Sequence, residues 1–262
     1  MMRITDTVKH LIIINVILWF ATYVLGQRGI DIYTVTALHF PENPNFGIWQ
    51  PITSMFMHSM ASPTHLLFNM LGLWMFGSAL EARWGKIKFL SFYMITGVGA
   101  GLVYTLVNYY DVHTAHNILL DSGFSVTQIN ELFQSSYEGF LAKLNSYANA
   151  GVLSEAQAVY DYGNSFYSNA VGASGALYGI LVAFGMLYPN VELMLLFLPI
   201  PIKAKYFIPG LLLLDFIGGI TGGMSLFGAG NIAHFAHLGG ALFGFLLMLY
   251  FKKTQFNKNR WD

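Results

Sequence analysis

The sequence predicts an all-α polytopic membrane protein, a bundle of six transmembrane helices with an external helical insertion between the third and the fourth. Three observations carry that prediction. Of the 262 residues, 55% are hydrophobic and only 10% are charged, with a mean hydropathy of +0.53, whereas a soluble domain carries about 25% charged residues. Six separate runs are apolar and close to the ~20 residues that cross a bilayer: about 8–26, 64–81, 88–110, 170–188, 206–222 and 233–251. Basic residues cluster between alternate runs. The length leaves room for one such domain, residues 1–262, and little more.

The first run follows Arg3 and Lys9 and could pass for a signal-peptide core. No good small-x-small cleavage site follows it, Val24-Leu25-Gly26 being the nearest approach, so it reads as a retained helix. The second run opens on His65 and ends at Glu81-Ala82-Arg83-Trp84-Gly85. Arg83, Lys86 and Lys88 precede the third, Lys203 and Lys205 precede the fifth, and Lys252, Lys253, Lys258 and Arg260 follow the sixth. With Arg3 and Lys9 these make eleven of the thirteen basic residues, all on one side if the runs alternate; Arg28 and Lys143 fall on the other. The positive-inside rule then places both termini in the cytoplasm. The expected location is a bacterial plasma (inner) membrane, with the lipid bilayer as the constant partner.

Residues 111–168 are therefore external. They hold six acids and one lysine. Ile129, Leu132, Phe133, Phe140, Leu141 and Leu144 recur there at helical spacing, and Ser154 with Gln157 resembles a capping box for a second short helix. Two readings stand: a helical hairpin packed on itself, or a lid over a site at the outer surface. There is no cysteine, hence no disulfide, thiolate nucleophile or Cys-based metal site. No basic patch interleaved with aromatics suggests nucleic acid.

The chemistry sits where runs two, four and six enter from the outside. Run two carries His65 and Asn69, one turn apart on one face. Run four carries Ser174, and run six carries His237. At about 1.5 Å per residue, all lie within roughly 10 Å of the outer face. Polar side chains in hydrocarbon are costly and normally face the bundle interior or a wet cavity. Gly175 and Gly179 on run four, and Gly240 and Gly244 on run six, are spaced to let two helix backbones touch. That contact could bring the Ser174 hydroxyl to the His237 imidazole, which can take its proton and later protonate a leaving amine. The Ser174 backbone N–H, His65 and Asn69 are the candidate donors to an oxyanion.

These motifs resemble those of the rhomboid family of intramembrane serine proteases. The resemblance covers all six runs in order but not the 111–168 insertion. It rests on Gly172-Ala173-Ser174-Gly175 (the family's GxSG), on Ala236-His237-Leu238-Gly239-Gly240-Ala241-Leu242-Phe243-Gly244, on His65-Leu66-Leu67-Phe68-Asn69, and on Glu81-Ala82-Arg83-Trp84-Gly85. It implies a Ser174–His237 dyad with no acidic third member and His65 and Asn69 assisting the oxyanion. Gly172 and Gly175 flank the serine, and the Tyr178 ring packs on the histidine. Residues 46–59 match the family's first external loop, which dips sideways into the membrane; Trp49-Gln50 stands where many members have Trp-Arg. The implied activity is an intramembrane serine endopeptidase that cleaves transmembrane segments of other membrane proteins near the outer face, with no cofactor.

Rival readings follow from the same residues. A non-catalytic rhomboid-like factor would bind or dislocate membrane helices; a transporter would line a pathway with these side chains. His234, one turn before His237, is the rival base, and the two histidines could begin a metal site, but no HExxH or acidic cluster completes one. His58 could line the entry or sit at the interface. Asp215, in the middle of run five, could orient His237 or serve a proton path. The expected role is structural, with Asp215→Asn keeping most activity. Glu81 and Arg83 are expected to tie helix ends together.

Overall fold

The computed structural model describes residues 3–195, 198–221 and 231–258; Arg260 and position 222, at the end of the fifth run, lie outside them. α1 spans Asp6–Gly26. α2 starts as Pro63–Gly72, passes through a π-helical turn at Leu73–Gly77 and continues as Ser78–Trp84. α3 is Lys86–Asp121. The insertion folds as α4 (Val126–Phe133), α5 (Tyr137–Asn149) and α6 (Ala156–Tyr167). α7 (Ser174–Leu187), α8 (Ala204–Thr221) and α9 (Asn231–Lys258) are the remaining long helices among the described residues, and short helical turns lie ahead of α2 at Ile32–Thr36 and Gln50–Thr53. Two small antiparallel ladders accompany them: β1 (Leu38–His39) on β2 (Asn169–Ala170), and β3 (Glu192–Leu195) on β4 (Leu198–Lys203).

The chain is an all-α polytopic membrane protein. Among the described residues, four helices are long and apolar enough to cross a bilayer: α1, α3, α8 and residues His234–Thr254 of α9. Their outward faces are apolar, with Ile17, Phe20, Leu106, Leu213, Leu214 and Leu246 each more than half exposed. Polar side chains within them bond back to their own helix, as Asn15 does to the Leu11 carbonyl and Thr96 to that of Phe92. The fourth run behaves differently. α7 has 14 residues, about 21 Å of helix against ~30 Å of hydrocarbon. It is the central helix, buried from Ser174 to Phe184, so it needs no lipid-facing length.

Gly175 and Gly240 set the contact between α7 and α9. A methyl at Gly240 would land on the Gly175 carbonyl, and one at Gly244 would lie 2.6 Å from the Gly179 Cα. The two backbones touch through both glycine pairs, as the spacing predicts.

Several boundaries differ from the sequence expectation, among them the end of α9 at Lys258 rather than 251. The third run is expected to stop at 110, but α3 has 36 residues, about 54 Å of helix. The polar stretch beyond 110 lowers the hydropathy, yet Val112, Ala115 and Leu119 keep helical spacing. They join Ile129, Leu132, Phe140, Val159 and Phe40 in a second hydrophobic core, separate from that of the bundle. The capping box lies at Ser125 and Gln128, not at Ser154 and Gln157; Gln157 instead donates to Asp161 one turn on, at 2.8 Å. The fourth helix starts at Ser174, not at 170, because residues 169–170 pair as β2 with β1.

At the opposite end, the buried Glu81 carboxylate accepts hydrogen bonds from the Thr5 hydroxyl (2.5 Å) and from the Thr7 and Val8 N–H groups (3.0 Å each). It caps the first turn of α1, whose N–H groups have no partner of their own. Arg83 lies over the Tyr188 ring at 5.8 Å. Both residues tie helix ends together, as expected.

Candidate active site

Ser174 opens α7, so its backbone N–H is one of the unpaired donors of a helix N-terminus. Gly172 makes that placement possible. Its φ of +127° suits only glycine, and its N–H donates to the Ser54 carbonyl at 2.9 Å, tying the residues before the serine to the chain just ahead of α2. No room exists for a side chain there: a methyl would come 2.9 Å from His65 Cε1 and 3.5 Å from Ser174 Oγ. His65 and Ser174 thus flank Gly172 closely.

His237 Nε2 lies 2.9 Å from Ser174 Oγ, with the histidine 2% and the serine 7% exposed. The glycine contacts between α7 and α9 position this pair. Tyr178, one turn along α7 from the serine, stacks on the imidazole with centroids 4.3 Å apart and planes 8° from parallel. Ser174, His237, His65 and Gly172 open on one cavity of about 310 Å³. It could hold a short extended peptide and water. A hydroxyl bonded to a ring-clamped imidazole, beside a helix N-terminus, can perform acyl transfer.

Asn69 is buried, and its amide donates at 2.9 Å to the His65 carbonyl on its own helix. It supports the turn that carries His65, and it does not line the cavity. His58 is buried too, its ring 5.2 Å from that of His65. Burial, and then the neighbouring His65, push the His58 imidazole down to about 3, so it is neutral at physiological pH. His234 turns away from the cavity toward α8, where its Nδ1 meets Asp215 Oδ1 at 2.5 Å. Among the described residues no group of three or more His, Cys, Asp or Glu side chains could hold a metal ion.

The loop of residues 46–59 is anchored through Gln50, the position that departs from the family pattern. Fully buried, it accepts from the His39 N–H and donates to the Asn45 and Val35 carbonyls. A neutral amide that both donates and accepts does this work without burying a charge. Ser54 is a supporting residue the sequence reading missed; a backbone carbonyl leaves no trace in residue type.

Comparison with known proteins matches the Rhomboid domain over residues 45–128 and 133–254. The chain is 41% identical over 64 residues to rhomboid protease AarA of Providencia stuartii, covering 24% of this chain and 22% of that protein. It is 31% identical over 90 residues to rhomboid protease GlpG of Salmonella paratyphi A, covering 34% and 30%. Over 190 residues it is 26% identical to rhomboid protein 1, mitochondrial, of Saccharomyces cerevisiae, covering 72% and 38%. The chain spans well under half the length of each of these relatives.

Proposed function

The chain belongs to the rhomboid family of intramembrane proteases, and from that premise we propose that it is a serine endopeptidase acting through Ser174 and His237. The observation that carries the reading is the 2.9 Å contact between Ser174 Oγ and His237 Nε2 inside a shared cavity. In the reaction, the Ser174 oxygen bonds to the scissile carbonyl carbon while its proton passes to His237 Nε2. The carbonyl electron pair moves onto oxygen, where the Ser174 N–H and the His65 ring stand as donors; one such donor is worth about 2.7–4 kcal/mol. The C–N bond then breaks, the amine leaves with the proton from Nε2, and water repeats the sequence to release the acyl group. Asn69 contributes by holding the helix turn beneath His65.

The substrates are transmembrane segments of other membrane proteins, entering laterally past α2 and α8. A helical peptide bond is sterically shielded, so segments with Gly, Ser, Ala or Pro near the outer face are preferred. Both termini are cytoplasmic, residues 1–262 form a single membrane domain, and the 111–168 insertion lies outside, its helices packed on a hydrophobic core separate from that of the bundle, with a lid over the entry as the reading that its deletion tests. The test is purified protein in liposomes with a transmembrane substrate carrying such a segment. Wild type cleaves it, and neither Ser174→Ala nor His237→Ala does. Substrate binding with no cleavage by wild type would favour a helix-escorting role and end the protease reading.

A further inference from the structure

We infer that Asp215 is a positioning residue for His237, so that the reacting pair is backed by a carboxylate from a third helix; this rests on the protease reading above. Asp215 sits on α8 and is 3% exposed. An acid buried in a membrane helix is costly and needs partners. Its Oδ2 lies 3.4 Å from His237 Nδ1, on the side of the ring opposite the nitrogen that meets Ser174. Its Oδ1 lies 2.5 Å from His234 Nδ1. The Tyr178 hydroxyl interacts with the same carboxylate while its ring stacks on His237. Side chains from α7 and α9 thus converge on one carboxylate of α8.

The seat for this arrangement is built into α8. Gly218 follows Asp215 by one turn, and the His234 ring lies against it; a methyl there would come 2.6 Å from His234 Cε1. His234 thus occupies one oxygen of the carboxylate, while the other oxygen faces His237.

The chemical role follows from where charge develops. When Ser174 gives its proton to Nε2, His237 becomes an imidazolium whose Nδ1–H faces Asp215. The carboxylate stays ionised, takes no proton, and holds the tautomer with Nε2 free to accept. At 3.4 Å the resting pair is at ion-pair rather than hydrogen-bond distance; such contacts tighten in the reacting complex. The reading departs from the expectation that Asp215→Asn keeps most activity. The alternative, a clamp between α8 and α9 made by Asp215 and His234 alone, predicts lost stability with kcat intact.

The experiment compares wild type, Asp215→Asn, His234→Gln and Ser174→Ala in liposomes, reading kcat, KM and melting temperature. It adds 15N NMR of histidine-labelled protein, the His237 resonances being identified by their loss in His237→Gln. Asp215→Asn is expected to lower kcat by about 10²-fold or more with KM within about twofold, and His234→Gln to lower it far less. Equal kcat losses in the two variants, or Asp215→Asn at the wild-type kcat, would overturn the inference while cleavage by wild type kept the protease reading. The NMR arm stands without cleavage. It expects His237 protonated at Nδ1 at rest and its 15N shifts moved by Asp215→Asn; Nδ1 unprotonated, or shifts unmoved, would also overturn it.

Discussion

Gly240→Ala is the sharpest perturbation of the geometry because it alters neither Ser174 nor His237. The new methyl would fall on the Gly175 carbonyl oxygen, and backbone on both sides leaves no flexible side chain to yield. The helices have to part by on the order of 1 Å, the response expected of an overpacked contact. Because Ser174 and His237 stand on those two helices, their 2.9 Å separation would open to about 4 Å, beyond the ~2.6–3.2 Å reach of proton transfer. A misplacement of that size costs about 10²-fold in rate, or about 2.7 kcal/mol of barrier. Overpacking removes a further ~1–3 kcal/mol of stability. The assay is kcat on a transmembrane substrate in liposomes, with the melting temperature read in parallel. Gly210→Ala is the control: it lies on α8 with nothing within 4 Å of a new methyl, and alanine is the better helix former. Gly240→Ala retaining the wild-type kcat would refute the argument that this glycine contact sets the reacting distance.

Other outcomes follow from the same structure. Gly172→Ala forces a β-carbon into a conformation of φ +127° and against His65; about 1–3 kcal/mol of strain is expected to lower both kcat and melting temperature. Glu81→Ala removes three hydrogen bonds to a buried carboxylate and is expected to cost about 2 kcal/mol in thermal unfolding, with kcat unchanged below the transition. Excising α4 and α5 is expected to broaden the range of membrane substrates cleaved. Unchanged cleavage of every substrate would remove the case for a lid.

What was legible in the sequence was local. The glycine pairs announce a helix contact because the spacing that brings small residues onto one face lies within a single helix. Once that contact is granted, Ser174 and His237 have few places to be. Tyr178 is legible only through the family resemblance, since one-turn spacing puts it on the serine's side of α7 without saying what its ring meets. The features missed are those in which two distant stretches meet or in which hydropathy and helicity part company. The pairing of β1 with β2 joins residues 38–39 to 169–170, and two-residue strands carry no readable period. α3 outruns its apolar segment because helix formation there depends on burial in the insertion core, not in lipid. Asn69 is legible as a buried polar residue but not in its direction; its amide chose the carbonyl one turn back. Asp215 could be flagged as an intramembrane acid, but its facing of His237 depends on the rotation of α8 against α9. Gly218, one turn from Asp215, was the available signal, marking the helix face on which another ring could lie.

The most direct test of the central claim is covalent. Purified protein treated with a fluorophosphonate and digested for mass spectrometry is predicted to carry one adduct, on Ser174, absent from Ser174→Ala and strongly diminished in His237→Ala. Labelling that ignores His237, or falls on another residue, would contradict the reading of this pair as nucleophile and base.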